Sequence, residues 1–289
     1  PPQSSLPDTQ SVFFYRASRV QFLGTRTISL GSSDTSSPPR NTYRHDFRPI
    51  GYSAAGASMG VYNVHLKAGS TGTDQSRRLV EAQRIRSNAE GTDTNGVGSG
   101  LPSGWNFAVV GDLNVQNSTD SSYAELTGSK TDNSGRVFDP IARPGSWNNN
   151  SNFRFLHTQD PSGAGGMDDR FDFILLSGGL LNGTGLSYIG NPAAPFSAVT
   201  WNDPNHSYRT WGNDGTSCCA AMLNTSGNSM VGDVIAQAII NTATTSGGHI
   251  PVIVDFRVPA KVSTNTMIIN FGSVVEGALA AQTLTIQHD

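Results

Sequence analysis

Apolar and polar positions along the chain change period several times, and each change predicts an element. Residues 11–15 and 20–23 alternate as two strands with Arg16 and Arg19 in the turn between them, which predicts a β-meander. Residues 31–42 are rich in Ser, Asp, Thr and Pro and read as a loop, after which residues 43–49 and 59–66 alternate as the next two strands. From Gln75 to Ala89 the period lengthens. Leu79, Ala82, Ile85 and Ala89 line one face while Arg77, Arg78, Arg84 and Arg86 fall mostly elsewhere, which predicts an amphipathic helix with solvated arginines. A Gly-rich loop over 91–104 leads into the apolar run Phe107-Ala108-Val109-Val110, a buried strand. Strand, crossover helix and strand form the unit that brings two strand ends to one edge of a sheet.

Beyond this point the pattern is looser. Ser122 and Glu125 have capping-box spacing and predict the start of a short helix, and residues 128–166 are polar and loop-rich. Asp172 stands at the head of the apolar run Phe173-Ile174-Leu175-Leu176, where a carboxylate needs a histidine, an arginine or a metal as partner. Residues 177–230 read as loops. Val231, Val234, Ile235, Ala238 and Ile239 predict a second amphipathic helix, followed by a strand over 250–256 that Pro259 closes. The tail, 259–289, changes character and resembles the first strands of an immunoglobulin-like repeat; a whole sandwich needs about 100 residues. Two units are therefore expected, 1–258 and 259–289.

Composition agrees with an α/β chain of short strands and long polar loops: 36% hydrophobic residues and 32 glycines in 289 positions. The net charge of −3 hides an asymmetry, 11 Lys or Arg against 7 Asp or Glu in residues 1–100 and 8 against 15 in the remainder. That balance excludes a broad polyanion-binding stripe but leaves room for local phosphate binding. No apolar run approaches the roughly 18 to 20 residues of a membrane span. The two cysteines, Cys218 and Cys219, are adjacent, with Cα atoms about 3.8 Å apart across a trans peptide. A bridge would have to be a vicinal ring or an intermolecular link, so two free thiols are expected.

Candidate chemistry begins at Gly111-Asp112-Leu113-Asn114, where a buried strand ends in polar residues. On an extended chain Asp112 and Asn114 leave the same side, roughly 7 Å apart, so a carboxylate and an amide can face one ligand. An Asx-type turn explains the same residues. Three further runs carry polar groups at predicted strand ends: Asn63-Val64-His65-Leu66, Asp169-Arg170-Phe171-Asp172-Phe173 and His249-Ile250-Pro251-Val252. His45, His157 and His206 fit no motif.

In order and spacing these four runs resemble the endonuclease/exonuclease/phosphatase superfamily, the fold of pancreatic-type deoxyribonuclease, base-excision endonucleases and bacterial sphingomyelinases. The resemblance covers residues 11–258. It implies an α/β four-layer sandwich with two central mixed β-sheets flanked by helices, and a site at one edge. It implies phosphodiester hydrolysis dependent on a divalent metal, Mg²⁺ or Mn²⁺. In that reading His249, oriented by Asp172, is the general base or its equivalent. Asp112 orients the nucleophilic water, Asn114 donates to a phosphoryl oxygen, and His65 contacts the phosphate or the leaving group. Asn63, Lys67, Arg77 and Arg170 are further substrate contacts.

Two departures qualify the resemblance. The family usually carries an Asp before its last histidine, where this chain has Gly248, and a metal-binding Glu upstream of the first, where this chain has only Asp8, Asp34 and Asp46 in loop-like contexts. The expectation is therefore a domain lacking its first two strands, impaired as it stands, with Asp112 as the best metal contact. An open sheet edge and the two-strand tail would then pair with another chain or with the rest of the same protein. The expected substrate is a phosphodiester, nucleic acid among them, and the expected location is extracellular or on the cell surface. Two alternatives stand beside this one: a non-catalytic binding or structural module in an extracellular assembly, and a phosphomonoesterase or phospholipase-type member.

Overall fold

A computed structural model describes residues 11–31, 39–92, 99–163, 165–243, 248–260, 262–264, 268–271, 273–274, 276–279 and 281–288. Asp8 and Asp34 lie outside the described residues, as do parts of the Gly-rich loop and of the tail strands. The chain divides into two compact units, Pro1–Arg257 and Val258–Asp289.

In the first unit, β1 (Val20–Ser29), β2 (Thr42–Pro49) and β3 (Met59–His65) form an antiparallel meander. Helix α1 (Gly72–Ala89) then crosses over to β4 (Asn106–Asp112), which pairs parallel with β3. Next come α2 (Ser121–Thr127), β5 (Val137–Phe138) and β6 (Asp172–Ser177), and the six strands make one mixed sheet in the order β1-β2-β3-β4-β6-β5. The remaining elements are short: β7 (Ser187–Tyr188), β8 (Arg209–Thr210), α3 (Asp233–Thr242), β9 (Val252–Ile253) and β10 (Phe256–Arg257). They supply two two-stranded sheets, β10-β7 and β8-β9.

Alternation decides which face each strand residue covers. Tyr62, Val64, Phe107, Val109, Phe173 and Leu175 pack in one buried cluster with Ala82, Ile85 and Ala89 of α1 and Leu126 of α2. Met59, Ala108 and Leu176 belong to a second cluster with Leu186 and Tyr188, against which Val61, Val110, Ile174 and Phe256 pack. The result is a mixed α/β unit with a central sheet flanked by helices. Gly111 is required where β3 and β4 run closest. Its φ is +123°, and a Cβ there would stand 2.1 Å from the Val64 carbonyl oxygen.

Several local expectations are corrected. Residues 11–16 form no strand; the Phe13 ring stacks on Phe22, His45 and Phe47, so side chains rather than a backbone ladder hold this segment. Helix α1 starts three residues earlier than Gln75 because Thr71 and Asp74 cap it reciprocally. Helix α2 is capped by Asp120, which accepts the Ser122 N–H, and not by Ser122. On α3, Ala236 is buried and Ile239 and Ile240 pack inward with the preceding Val231, as expected for Val231 and Ile239, while Val234 and Ile235 of the expected stripe face out. The strand expected over 250–256 is split into β9 and β10. Asp46 is buried inside β2 and paired with Arg44.

The expectation of free thiols also fails. Cys218 and Cys219 are bonded to each other across a cis peptide that sets their Cα atoms 3.0 Å apart, whereas the expectation assumed trans spacing. In the second unit the described residues include one antiparallel pair, β11 (Val262–Thr264) with β12 (Ile286–His288). The rest of the expected first tail strand falls partly on 265–267, outside the described residues.

Candidate active site

Register brings the polar strand ends together. His65 of β3 stands opposite Asp112 of β4, and Asp112 stands opposite Asp172 of β6. Directly opposed residues share a face, so three side chains from distant parts of the sequence form a row across the sheet edge. His249 arrives from the loop after α3, held by a bridge to Gln159. Its Nδ1 lies 2.7 Å from Asp172 Oδ2 and 3.9 Å from Asp112 Oδ2, while His65 Nε2 lies 3.4 Å from the same Asp112 oxygen.

Thr158, which no motif singled out, braces this arrangement. Its hydroxyl accepts the N–H groups of Phe171 and Asp172, and its carbonyl accepts the N–H of Ile250. One residue thus ties the segments carrying Asp172 and His249 to each other.

The four groups carry different charges for physical reasons. Burial alone would lower the His249 pKa, but the Asp172 hydrogen bond and the charges of Asp172 and Asp112 outweigh it and raise it to about 9. For His65, burial and the nearby positive charges of Arg40 and His249 win instead and lower the pKa to about 4. Burial and the Asp172 carboxylate raise Asp112 to about 7. The row thus holds His65 toward its neutral form, Asp112 toward its protonated form and His249 toward its charged form. An imidazole held toward its charged form can give a proton to a neighbouring group.

Asn114 follows the strand end in a left-handed conformation, φ +52°. Its backbone N–H donates to Asp112 Oδ1 and its side-chain amide donates to the Leu66 carbonyl. The Asx turn is thus present, and the same residue also lines a cavity. This cavity, of about 240 Å³, is lined by Gln75, Arg78, Asn114, Gln116, Asn117 and Phe171 among others. Of these, Gln75, Gln116 and Asn117 belong to no motif; the signal for the last two is that they follow the Gly-Asp-Leu-Asn run after a single residue.

Not all expected contacts reach the cleft. Arg170 is fully buried, clamped bidentately by Asp139 at 2.7 and 3.0 Å and stacked over Phe173 and Trp147, so it supports the core and is not open to a substrate. Lys67 is buried, paired with Asp74 at the start of α1. Asn63 donates to the Val12 carbonyl, and Arg77 is half-buried on α1. The solvated arginine face is corrected as well: Arg78 reaches Asp120 and two carbonyls, and Arg86 reaches the carbonyls of Glu125, Gly128 and Asp132.

Mg²⁺ and Mn²⁺ call for several oxygen donors. Here Asp112 Oδ1 accepts the Asn114 amide, Asp112 Oδ2 faces two imidazoles, and Asp172 Oδ2 is bonded to His249. Among the described residues, the group of three potential His, Cys, Asp or Glu ligands lies elsewhere, at His157, Cys218 and Cys219. The cleft residues do not by themselves fit a hard cation.

No protein-family model matches the chain, and no curated protein matches its sequence. Solved structures do. Beta toxin of Staphylococcus aureus is 16% identical over 48% of this chain and 43% of its own, with a TM-score of 0.31. A humanized D. rerio TDP2 is 18% identical over 61% of each chain, TM-score 0.36. Sphingomyelinase C from Streptomyces griseocarneus is 14% identical over 51% and 45%, TM-score 0.28. The chain thus spans from 43% to 61% of the length of these structures.

Proposed function

We propose that this cleft binds a phosphodiester and hydrolyses it, with Asp112 taking the proton of the attacking water and His249 giving one to the leaving oxygen. The observation that carries the reading is the His249–Asp172 hydrogen bond of 2.7 Å beside the raised Asp112 carboxyl. Two neighbouring groups titrating near 7 and near 9 make a base and an acid available in the same pH window. Water attacks phosphorus, the P–O bond to the leaving group breaks, Asp112 ends protonated and His249 ends neutral. The Asn114 amide and neutral His65 are the hydrogen-bonding groups for the phosphoryl oxygens. A secreted or surface location, and nucleic acid among the substrates, belong to this proposal.

The measurement is hydrolysis of DNA, RNA and bis-nitrophenyl phosphate, with and without Mg²⁺ or Mn²⁺, against Asp112→Ala and His249→Ala. Loss of activity in both variants supports the reading; turnover no greater than that of the variants overturns it. The second reading, a phosphodiester-binding module without turnover, is favoured by one observation, the poor fit of the cleft to a hard cation. Binding of a non-hydrolysable phosphorothioate diester that His249→Ala abolishes, with no turnover of any substrate, would select it.

A further inference from the structure

His157 presents a problem that the cleft does not solve. Its ring is completely buried, and each nitrogen faces a backbone carbonyl: Nδ1 is 2.9 Å from the Met167 oxygen and Nε2 is 3.0 Å from the Trp147 oxygen. A neutral imidazole has one N–H, so one of these contacts sets a ring lone pair against a carbonyl oxygen. Protonation would satisfy both, at the cost of a charge buried in the core. A cation resolves the conflict, because Nδ1 and the Met167 oxygen would then point at the same positive centre. Cys218 Sγ lies 3.9 Å from Nδ1, and the ligand atoms of His157, Cys218 and Cys219 all fall within 4.8 Å of one another.

We propose that His157 Nδ1 and the reduced sulfurs of Cys218 and Cys219 form a site for a thiophilic divalent ion such as Zn²⁺, with the Met167 carbonyl oxygen as the fourth donor. Tetrahedral zinc holds thiolate and imidazole donors at about 2.3 and 2.0 Å, which places neighbouring donors roughly 3.5 Å apart. The spacing of Cys218 Sγ from Nδ1, 3.9 Å, is close to that, and the two sulfurs separate once their bond is reduced. Metal-bound histidines habitually donate the other ring N–H to a carbonyl or carboxylate, the part Trp147 O plays here. The ring is buried while both cysteines are half-buried.

In the structure the sulfurs are bonded to each other, so loading needs a thiol reductant. The reductant supplies two electrons and two protons: the S–S bond breaks, two thiols form, and the reductant becomes its own disulfide. Metal binding then replaces two S–H bonds with two metal–sulfur bonds and releases two protons to solvent. The site is independent of the phosphodiester reading.

The test uses the full chain, reduced with a dithiol that is then removed without air, and titrated with Zn²⁺ or with Co²⁺ as a coloured probe. The reduced protein is expected to take up one ion per chain and, with Co²⁺, to show sulfur-to-metal charge transfer and intense tetrahedral bands. The oxidised protein is expected to show neither. Cys218→Ser with Cys219→Ser should abolish uptake, and His157→Gln should weaken it at least about tenfold, the loss seen when even an outer partner of a metal ligand is removed. Should His157→Gln not fold, the Nδ1 nitrogen resonance of the wild-type ring must shift on adding Zn²⁺. Equal uptake by the reduced protein and the double serine variant, or a ring resonance that does not move, overturns the proposal.

Discussion

His249 and Asp172, separated by 77 positions in the chain, share a 2.7 Å hydrogen bond in which the imidazole Nδ1 donates to one carboxylate oxygen. His65, the same residue type on the other side of Asp112, stands 3.4 Å from that carboxylate. The two rings shift in opposite directions, His249 to about 9 through Asp172 and Asp112, and His65 to about 4 through burial and the charges of Arg40 and His249.

Asp172→Asn removes the charge that holds the His249 proton and replaces a charge-assisted hydrogen bond with, at most, a neutral one. The ring's pKa is expected to fall from about 9 to near or below its unperturbed value of 6.5, since burial is then opposed by Asp112 and Asp160 alone. Titration of the histidine ring resonances measures it, and a ring still titrating near 9 would show that Asp172 is not the cause.

If Asp112 is the base and His249 the acid, the rate should rise through about pH 7 as Asp112 loses its proton and fall through about pH 9 as His249 loses its own. Asp172→Asn should move the alkaline limb down by more than one pH unit and lower the maximal rate about 10²-fold or more. The pH profile of bis-nitrophenyl phosphate hydrolysis reads both.

His65 and Asp112 make opposite contributions to acid stability. His65 is held below its ordinary 6.5, so the unfolded chain takes up that proton first; its stabilisation is present above pH 6.5 and lost as pH falls toward about 4. Asp112 is held above its ordinary 3.8, so the folded chain takes up that proton first and gains stability as pH falls from about 7. His65→Gln should therefore flatten the loss of stability between pH 6.5 and 4, and Asp112→Asn should steepen it. Urea unfolding midpoints across that range test the signs.

Arg170→Ala leaves Asp139, itself nearly buried, without its partner. A stranded buried charge costs about 3–5 kcal/mol, so the urea midpoint should drop sharply while the affinity for a phosphodiester, measured where the variant is folded, stays unchanged. A specific loss of affinity with stability intact would return Arg170 to the cleft.

The elements that position the site were legible because alternation and helical period are local properties. Residues 59–66 and the run from Phe107 became strands, the face of Ala82, Ile85 and Ala89 became the buried side of α1, and the crossover between them followed. The short elements were misread for the opposite reason. In α3 and in residues 250–256 too few positions carry the period for it to outweigh tertiary packing, and residues 11–16 are held by aromatic contacts that no local pattern encodes. Among the site residues, His65, Asp112, Asn114, Asp172 and His249 announced themselves as polar groups at the ends of apolar runs. Thr158 and the amides of the neighbouring cavity did not, because their importance lies in what they touch.

By itself the sequence determined which polar groups the apolar strands would deliver to the sheet edge, since strand period and parity are set residue by residue. Only the tertiary structure decided what those groups are there. A histidine reads the same at 65 and at 249, and an arginine the same at 77 and at 170. Charge state and accessibility depend on burial and on partners tens of positions away, such as Asp172 for His249 and Asp139 for Arg170, which come together only once the chain has folded.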